Sequence, residues 1–278
     1  MSKVWFITGS SRGLGRCFVE AALSRGDRVA ATARSVERLQ DLVITYGDAV
    51  LPLAMDVTDR AAVGAAVQRA KEHFGRLDVV VNNAGYAQIG AIEELTGQEL
   101  REQLETNLFG ALWVVQAVLP HLREQRAGHI VQLSSAAGLM AMPLGGAYHV
   151  SKWGVEALNE ALAQEVAEFG IKVTLVEPAG FATRDGKNPD PLANGHMAQT
   201  NPAYDGLRQR LAAVMSKQPS GDPAAAAQAL LKIVDADNPP LRVLFGQGFY
   251  PMLQQVYAER LQTWADWQEL SAEAQGAR

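Results

Sequence analysis

Short apolar runs alternate along the chain with stretches whose apolar residues recur at helical spacing. Val4-Trp5-Phe6-Ile7 is followed by Phe18, Val19, Ala22 and Leu23, three to four apart. The runs Arg28–Ala33, Ala49–Met55, Val79–Val81, His129–Leu133, Lys172–Val176 and Arg242–Phe245 repeat the pattern. Each reads as a short strand, and a continuous apolar strand such as Val79-Val80-Val81 suits a sheet covered on both faces. Helical patterns separate them: Leu39 and Leu42; Ala62, Val63, Ala66, Val67 and Phe74; Leu100, Leu104, Leu108, Leu112 and Val115; Val155, Leu158, Leu162 and Val166. Seven strands alternating with helices predict one α/β domain over residues 1–278, a doubly wound parallel sheet with helices on both faces.

Local punctuation refines the boundaries. Ser35 and Asp222 stand where helix caps are expected, Asp56-Val57-Thr58-Asp59 closes the third strand and caps the next helix, and Thr96-Gly-Gln-Glu99 is a capping box. Pro52 fits an edge strand, because it cannot donate to a ladder. Pro120 is expected to begin the close of the helix that starts after Thr96. Residues 184–220 carry Asp-Gly, Asn-Pro and Asp-Pro signals and read as an irregular lid over the site. The stretch from Met252 to Leu270 reads as one amphipathic helix within a C-terminal extension, 248–278.

Charge and composition narrow the function. The net charge is −5, so no basic excess exists to neutralise a nucleic acid. No apolar stretch reaches the roughly 18 residues of a membrane span. The single cysteine, Cys17, can form neither an intrachain disulfide nor a cysteine metal cluster, and the five histidines lack zinc spacing. With no signal-peptide pattern at the start, a soluble, cytoplasmic protein is expected.

Two stretches carry chemistry. The first strand runs into Thr8-Gly9-Ser10-Ser11-Arg12-Gly13-Leu14-Gly15 and then a helix, the arrangement in which backbone N–H groups receive a pyrophosphate. Its spacing, Gly-x-x-x-Gly-x-Gly, differs from the general Gly-x-Gly-x-x-Gly fingerprint. The second strand ends at Ala33-Arg34, where an NAD-binding chain carries Asp or Glu; Arg34 and Arg12 favour a 2′-phosphate, hence NADP(H). The other stretch runs from Ser134-Ser135 to Tyr148 and Lys152. Tyr148 and Lys152 share a helix face, Ser135 ends a strand, and a cation one turn from a phenol is expected to lower the pKa of that phenol. Such a trio is a proton-transfer site. His149 faces elsewhere and is read as structural.

In this order and spacing, Thr8-Gly9-x-x-x-Gly13-x-Gly15, Asp56-Val57, Asn82-Asn83-Ala84-Gly85, Asn107-x-x-Gly110, Ser135, Tyr148-x-x-x-Lys152 and Pro178 through Thr183 resemble the short-chain dehydrogenase/reductase family, over essentially the whole chain. The resemblance implies Tyr148 as general acid/base, Ser135 positioning the substrate oxygen, Lys152 acting on the phenol and the nicotinamide ribose, and Asn107 completing the relay. Ser134 is the adjacent alternative to Ser135. It also implies cofactor contacts from Gly9, Ser11, Arg12, Gly13, Leu14, Gly15, Arg34, Asp56, Val57, Asn83, Ala84, Gly85, Tyr148, Lys152, Pro178, Gly180, Phe181 and Thr183. Val176 through Thr183 and the Trp264/Trp267 tail are similar to the branch of 17β-hydroxysteroid dehydrogenases and bacterial carbonyl reductases, with Ala179 and Ala182 where glycine and arginine are frequent. A hydrophobic ketone or secondary alcohol is expected as substrate, with Gln88, Ile89, Leu139, Met140, Met142, Phe181 and Met197 as candidate lining, and a homo-oligomer (dimer or tetramer) as the assembly. The alternatives are a non-catalytic dinucleotide-sensing module and a nucleotide-sugar epimerase or dehydratase.

Overall fold

The computed structural model describes residues 2–181, 195–217 and 219–276. Seven strands form one parallel sheet: β1 (Val4–Ile7), β2 (Arg28–Ala33), β3 (Val50–Ala54), β4 (Val79–Asn82), β5 (Gly128–Leu133), β6 (Ile171–Pro178) and β7 (Arg242–Phe245). Their spatial order is β3-β2-β1-β4-β5-β6-β7. The winding therefore reverses between β1 and β4, and a crevice opens beyond the carboxyl ends of those strands.

Residue alternation along a strand sorts the core into two layers. Trp5 and Ile7 pack with Phe18, Leu39 and Leu230 on one face, whereas Val4 and Phe6 pack with Val63, Val114, Leu122 and Leu162 on the other. The first layer is covered by α1 (Gly13–Ser24), α2 (Gln40–Tyr46) and α8 (Pro223–Asp235); the second by α3 (Arg60–Phe74), α5 (Gly110–Gln125) and α6 (Gly146–Val166). β3 is an edge strand, so Pro52 removes no ladder donor that the sheet needs.

Most expected caps are present. Asp59 accepts from the amides of Ala61 and Ala62 at 2.9 and 3.0 Å, Thr96 and Glu99 close a full capping box, and Asp222 accepts from Ala224. Ser35 does not cap through its side chain: its hydroxyl donates to the Glu37 carboxylate at 2.5 Å instead. The helix opened by Thr96 is not continuous either. It runs as α4 (Gly97–Leu104), a π-helical segment Glu105–Phe109, and α5. Pro120 lies inside α5, which continues to Gln125 because Val118 and Leu122 beside it are buried in the core. That burial outweighs the roughly 3 kcal/mol an interior proline costs.

The stretch expected to be irregular holds more order than its turn residues suggest. Its residues 184–194 and 218 lie outside the described residues. The rest contains His196–Met197, which pairs with Gln88–Ile89, and α7 (Asp205–Met215). Leu207, Leu211 and Met215 fall on one side of α7 and pack against Ala91 and Leu144. The C-terminal extension is two helices, α9 (Phe249–Asp266) and α10 (Gln268–Gln275), rather than one. Both leave most of their surface to solvent, as do Trp264 of α9 and Trp267 between the two helices. Arg260 of α9 lies over the rings of Trp153 and Tyr257 at 5.3 and 5.2 Å. Among the described residues no helix is long and apolar enough to cross a membrane.

Candidate active site

The cleft beyond β1, β4 and β5 has a volume of about 630 Å³. Its floor is built by the loop between β1 and α1, stitched to the loop after β4. Thr8 Oγ1 accepts from the amides of Asn83 and Ala84 at 2.9 and 3.0 Å, and Asn83 Nδ2 donates to the carbonyls of Thr8 and Gly9. Gly9 has φ +68, and a Cβ on it would stand 2.9 Å from Ala84 Cα. A Cβ on Gly15 would stand 2.3 Å from Asn83 Nδ2. The glycines let the two loops close into a cradle, and the opening turn of α1 brings its free N–H groups there.

Of the cofactor residues expected from sequence, Gly9, Ser11, Arg12, Gly13, Leu14, Arg34, Asp56, Val57, Asn83, Ala84, Gly85, Tyr148, Lys152, Pro178 and Phe181 line this cleft. Gly15 lies behind it, in the packing of the two loops. The carbonyl of Gly180 accepts from the Gly221 amide, and Gly180 lines a neighbouring cleft instead. Thr183 lies outside the described residues, as does Ala182. Arg12 and Arg34 are exposed at the cleft wall, and neither forms an ion pair among the described residues. Ala33 ends β2 with no carboxylate. Asp56 Oδ1 accepts from the amide and hydroxyl of Thr58 at 3.0 and 2.8 Å, which fixes the far wall. A cradle that admits no Cβ, the N-terminus of α1 and two guanidinium groups without an ion pair among the described residues fit a dinucleotide.

Ser135, Tyr148 and Lys152 meet at the other end of the same cleft. Ser135 follows β5; its hydroxyl accepts from the Ala137 amide at 3.1 Å and donates toward the Pro178 carbonyl at 3.4 Å. Tyr148 lies in the first turn of α6. Lys152, one turn later, is buried, with Nζ 5.7 Å from the centre of the Tyr148 ring and donating to the Leu133 carbonyl at 2.8 Å. Burial pushes the lysine down to about 8, against the opposing charge of Glu156. Burial also holds the Tyr148 phenol above its ordinary value, only partly offset by the Ser135 hydroxyl. This corrects the expectation that the phenol lies below its ordinary value: the ammonium of Lys152 is bonded to a backbone carbonyl, and its pull is outweighed by desolvation of the phenol.

Asn107 stands behind the cleft rather than in it. The π-helical segment turns its side chain inward, where Nδ2 donates to the Tyr86 carbonyl at 2.9 Å and to Ser151 Oγ at 3.0 Å. Its Oδ1 accepts from the Tyr86 amide. Ser151 in turn donates to the Tyr148 carbonyl at 2.7 Å. Asn107 thus ties the loop after β4 to the turn of α6 that carries Tyr148, and a Cβ on Gly85 would stand only 3.0 Å from its Oδ1. His149 is structural, bonded through both ring nitrogens to the Ala137 carbonyl and the Met142 amide.

Sequence reasoning missed Thr58, Tyr86, Glu102, Thr106 and His196, which also line the cleft. Tyr86 follows directly on the Asn-Asn-Ala-Gly stretch, a usable signal. His196 arrives from over a hundred residues away to set its ring, tilted, against Tyr86 at 4.5 Å between centroids, and nothing local announces it. Of the expected apolar lining, only Phe181 reaches the cleft among the described residues. Gln88 is buried and donates to Glu99, Met140 is buried elsewhere and Met197 is exposed.

Comparison with known proteins gives a consistent picture. The family model described as short chain dehydrogenase matches residues 3–190. Oxidoreductase BOA17 of Botryotinia fuckeliana is 44% identical over 250 residues, covering 88% of this chain and 89% of its own. A short-chain dehydrogenase from Streptomyces avermitilis superposes with a TM-score of 0.88 at 38% identity, covering 98% of each chain. A short chain dehydrogenase from Burkholderia cenocepacia, solved in complex with NADP, superposes with a TM-score of 0.74 at 26% identity, covering 95% of this chain and 97% of its own.

Proposed function

The chain belongs to the short-chain dehydrogenase family and is an oxidoreductase, and from that premise we propose that it is an NADP(H)-dependent carbonyl reductase acting on a hydrophobic ketone, or in reverse on the secondary alcohol. The observation that carries this reading is the convergence of the Ser135 hydroxyl, the Tyr148 phenol and the Lys152 ammonium at one end of a cleft whose other end is a phosphate cradle. NADPH, when bound, supplies the hydride. Ser135 donates a hydrogen bond to the carbonyl oxygen and fixes its position. Tyr148 gives its proton to that oxygen as the carbon is reduced. The ammonium of Lys152 stabilises the phenolate that remains. Asn107 and Ser151 hold the turn that aims the phenol. The NADP found in the Burkholderia cenocepacia relative supports the choice of cofactor, as do Arg12 and Arg34, which form no ion pair among the described residues. Phe181 and the ring of Tyr86 support an apolar substrate.

The protonation states give the reaction a direction in pH. A raised phenol pKa keeps the acid form of Tyr148 complete at neutral pH, as reduction requires. Lys152 is charged below about 8 and loses its charge above it. With a panel of hydrophobic ketones, NADPH consumption is expected to be level through neutral pH and to fall as pH rises through about 8. Oxidation of the alcohol, which needs the phenolate, is expected to reach its highest rate only at pH above that range, because the phenol lies above its ordinary value. Initial rates in both directions across pH test this. Tight NADPH binding without consumption at any pH would mark a dinucleotide-sensing module instead.

A further inference from the structure

Behind Lys152 lies a cluster of charges that the reaction just described does not use. Glu156 follows Lys152 by one turn of α6, and Glu177 projects from β6 beside it; both side chains are almost fully buried, 7% and 3% exposed. Arg242 of β7 stands between them, its Nε 3.1 Å from Glu156 and 3.6 Å from Glu177. Its Nη2 donates to Glu160 at 2.6 Å, but Glu160 is more than half exposed. Gly138 closes the near wall: a Cβ there would stand 2.8 Å from Ser134 Oγ and 3.0 Å from Glu156 Cγ. One oxygen of each buried carboxylate has no hydrogen-bond partner among the described residues.

Two buried carboxylates face one guanidinium, so the cluster carries a surplus negative charge that burial makes costly. Lys152 is the one lysine or arginine buried in the core among the described residues, and it lies one turn away. With its ammonium included, two buried carboxylates face two cations, Lys152 and the partly exposed Arg242. We propose that the Glu156–Glu177 pair, held by Arg242, is the counter-charge for Lys152: a set of positioning residues that fixes the protonation state of the lysine beside the reacting phenol. Burial and the neighbouring Glu156 charge hold the Glu177 carboxyl up to about 7, so it is ionised in the range where Lys152 titrates. The groups that face Lys152 and the pair are thus Tyr148 and Glu160 on α6, Glu177 on β6, Arg242 on β7 and the uncharged Ser134 after β5.

The test reads Lys152 directly. In the full-length protein with isotope-labelled lysine, the side-chain NMR signal lost in Lys152→Arg is followed across pH. Removing a negative charge favours the neutral lysine, so Glu156→Gln is expected to move its midpoint down by about one pH unit, a tenfold change in the charged fraction. Glu177→Gln is expected to move it the same way by less. Circular dichroism reports whether each variant folds; if Glu156→Gln does not, Glu177→Gln decides. An unchanged midpoint in every folded variant overturns the proposal. The proposal rests on the reading of Lys152 above only in its kinetic arm, where the decline in ketone reduction should shift to lower pH with the midpoint. A fall in rate that is equal at every pH means a merely structural cluster and overturns it as well. If the wild-type protein reduces no ketone, the proposed function fails while the NMR titration still decides the charge pairing.

Discussion

Tyr148→Phe is expected to lower the turnover of ketone reduction by roughly 10²–10⁴-fold, the contribution of a positioned general acid. The substitution keeps the ring in the first turn of α6 and removes only the group that carries the proton. Tyr148 is held there by backbone bonds, through Ser151 and Asn107, that do not involve the phenol. The packing of the turn should therefore survive, and NADPH affinity should change little. Steady-state kinetics together with a binding titration separate the two effects. Near-wild-type turnover in Tyr148→Phe would remove the phenol from the reaction. A loss of cofactor affinity equal to the loss of turnover would mean that the phenol serves binding instead.

Ala33→Asp combined with Arg34→Leu is expected to reverse the cofactor preference. Arg34 leaves the end of β2 into the cleft with no ion-pair partner among the described residues, so its guanidinium is available for charge-assisted bonds to a 2′-phosphate. Losing one such bond should cost about ten- to a hundredfold in preference for NADPH. A carboxylate at position 33 adds repulsion toward the phosphate and offers a bare ribose hydroxyl an acceptor. Arg12 stays in place, and its contribution sets how far the reversal goes. Comparing kcat/KM for NADPH and NADH in both proteins checks this. A wild-type enzyme that favours NADH would contradict the reading of β2.

The sequence carried the sheet and its two helical layers because each strand is a short apolar run closed by its own turn residues. Val79 through Val81 and the capping box at Thr96 are such local signals, and the structure has both. The cradle was legible for the same reason: its glycines, Thr8 and Asn83 lie within two short stretches. The π-helical segment was not, because residues 105–109 have an ordinary helical pattern, and the outward step of the backbone is set by the inward bonds of Asn107. α7 was hidden by the turn residues around it; Leu207 and Leu211 show their purpose only once Ala91 and Leu144 lie beneath them. The direction of the phenol shift followed a rule about neighbouring charge, whereas burial, which no residue string displays, is the larger effect. Glu156 is visible beside Lys152 in the sequence, but Arg242, eighty-six positions later, gives the pair its meaning.

The central claim is hydride transfer to a carbonyl carbon, and isotope tracing tests it most directly. NADPH deuterated at the transferable position of the nicotinamide ring is supplied with a hydrophobic ketone in ordinary water, and the product is examined by mass spectrometry and NMR. The account predicts an alcohol with deuterium on the carbinol carbon, formed in step with NADP, and unlabelled hydrogen from solvent on its oxygen. An alcohol without deuterium at carbon, or NADPH that binds and is never consumed by any ketone, would contradict it.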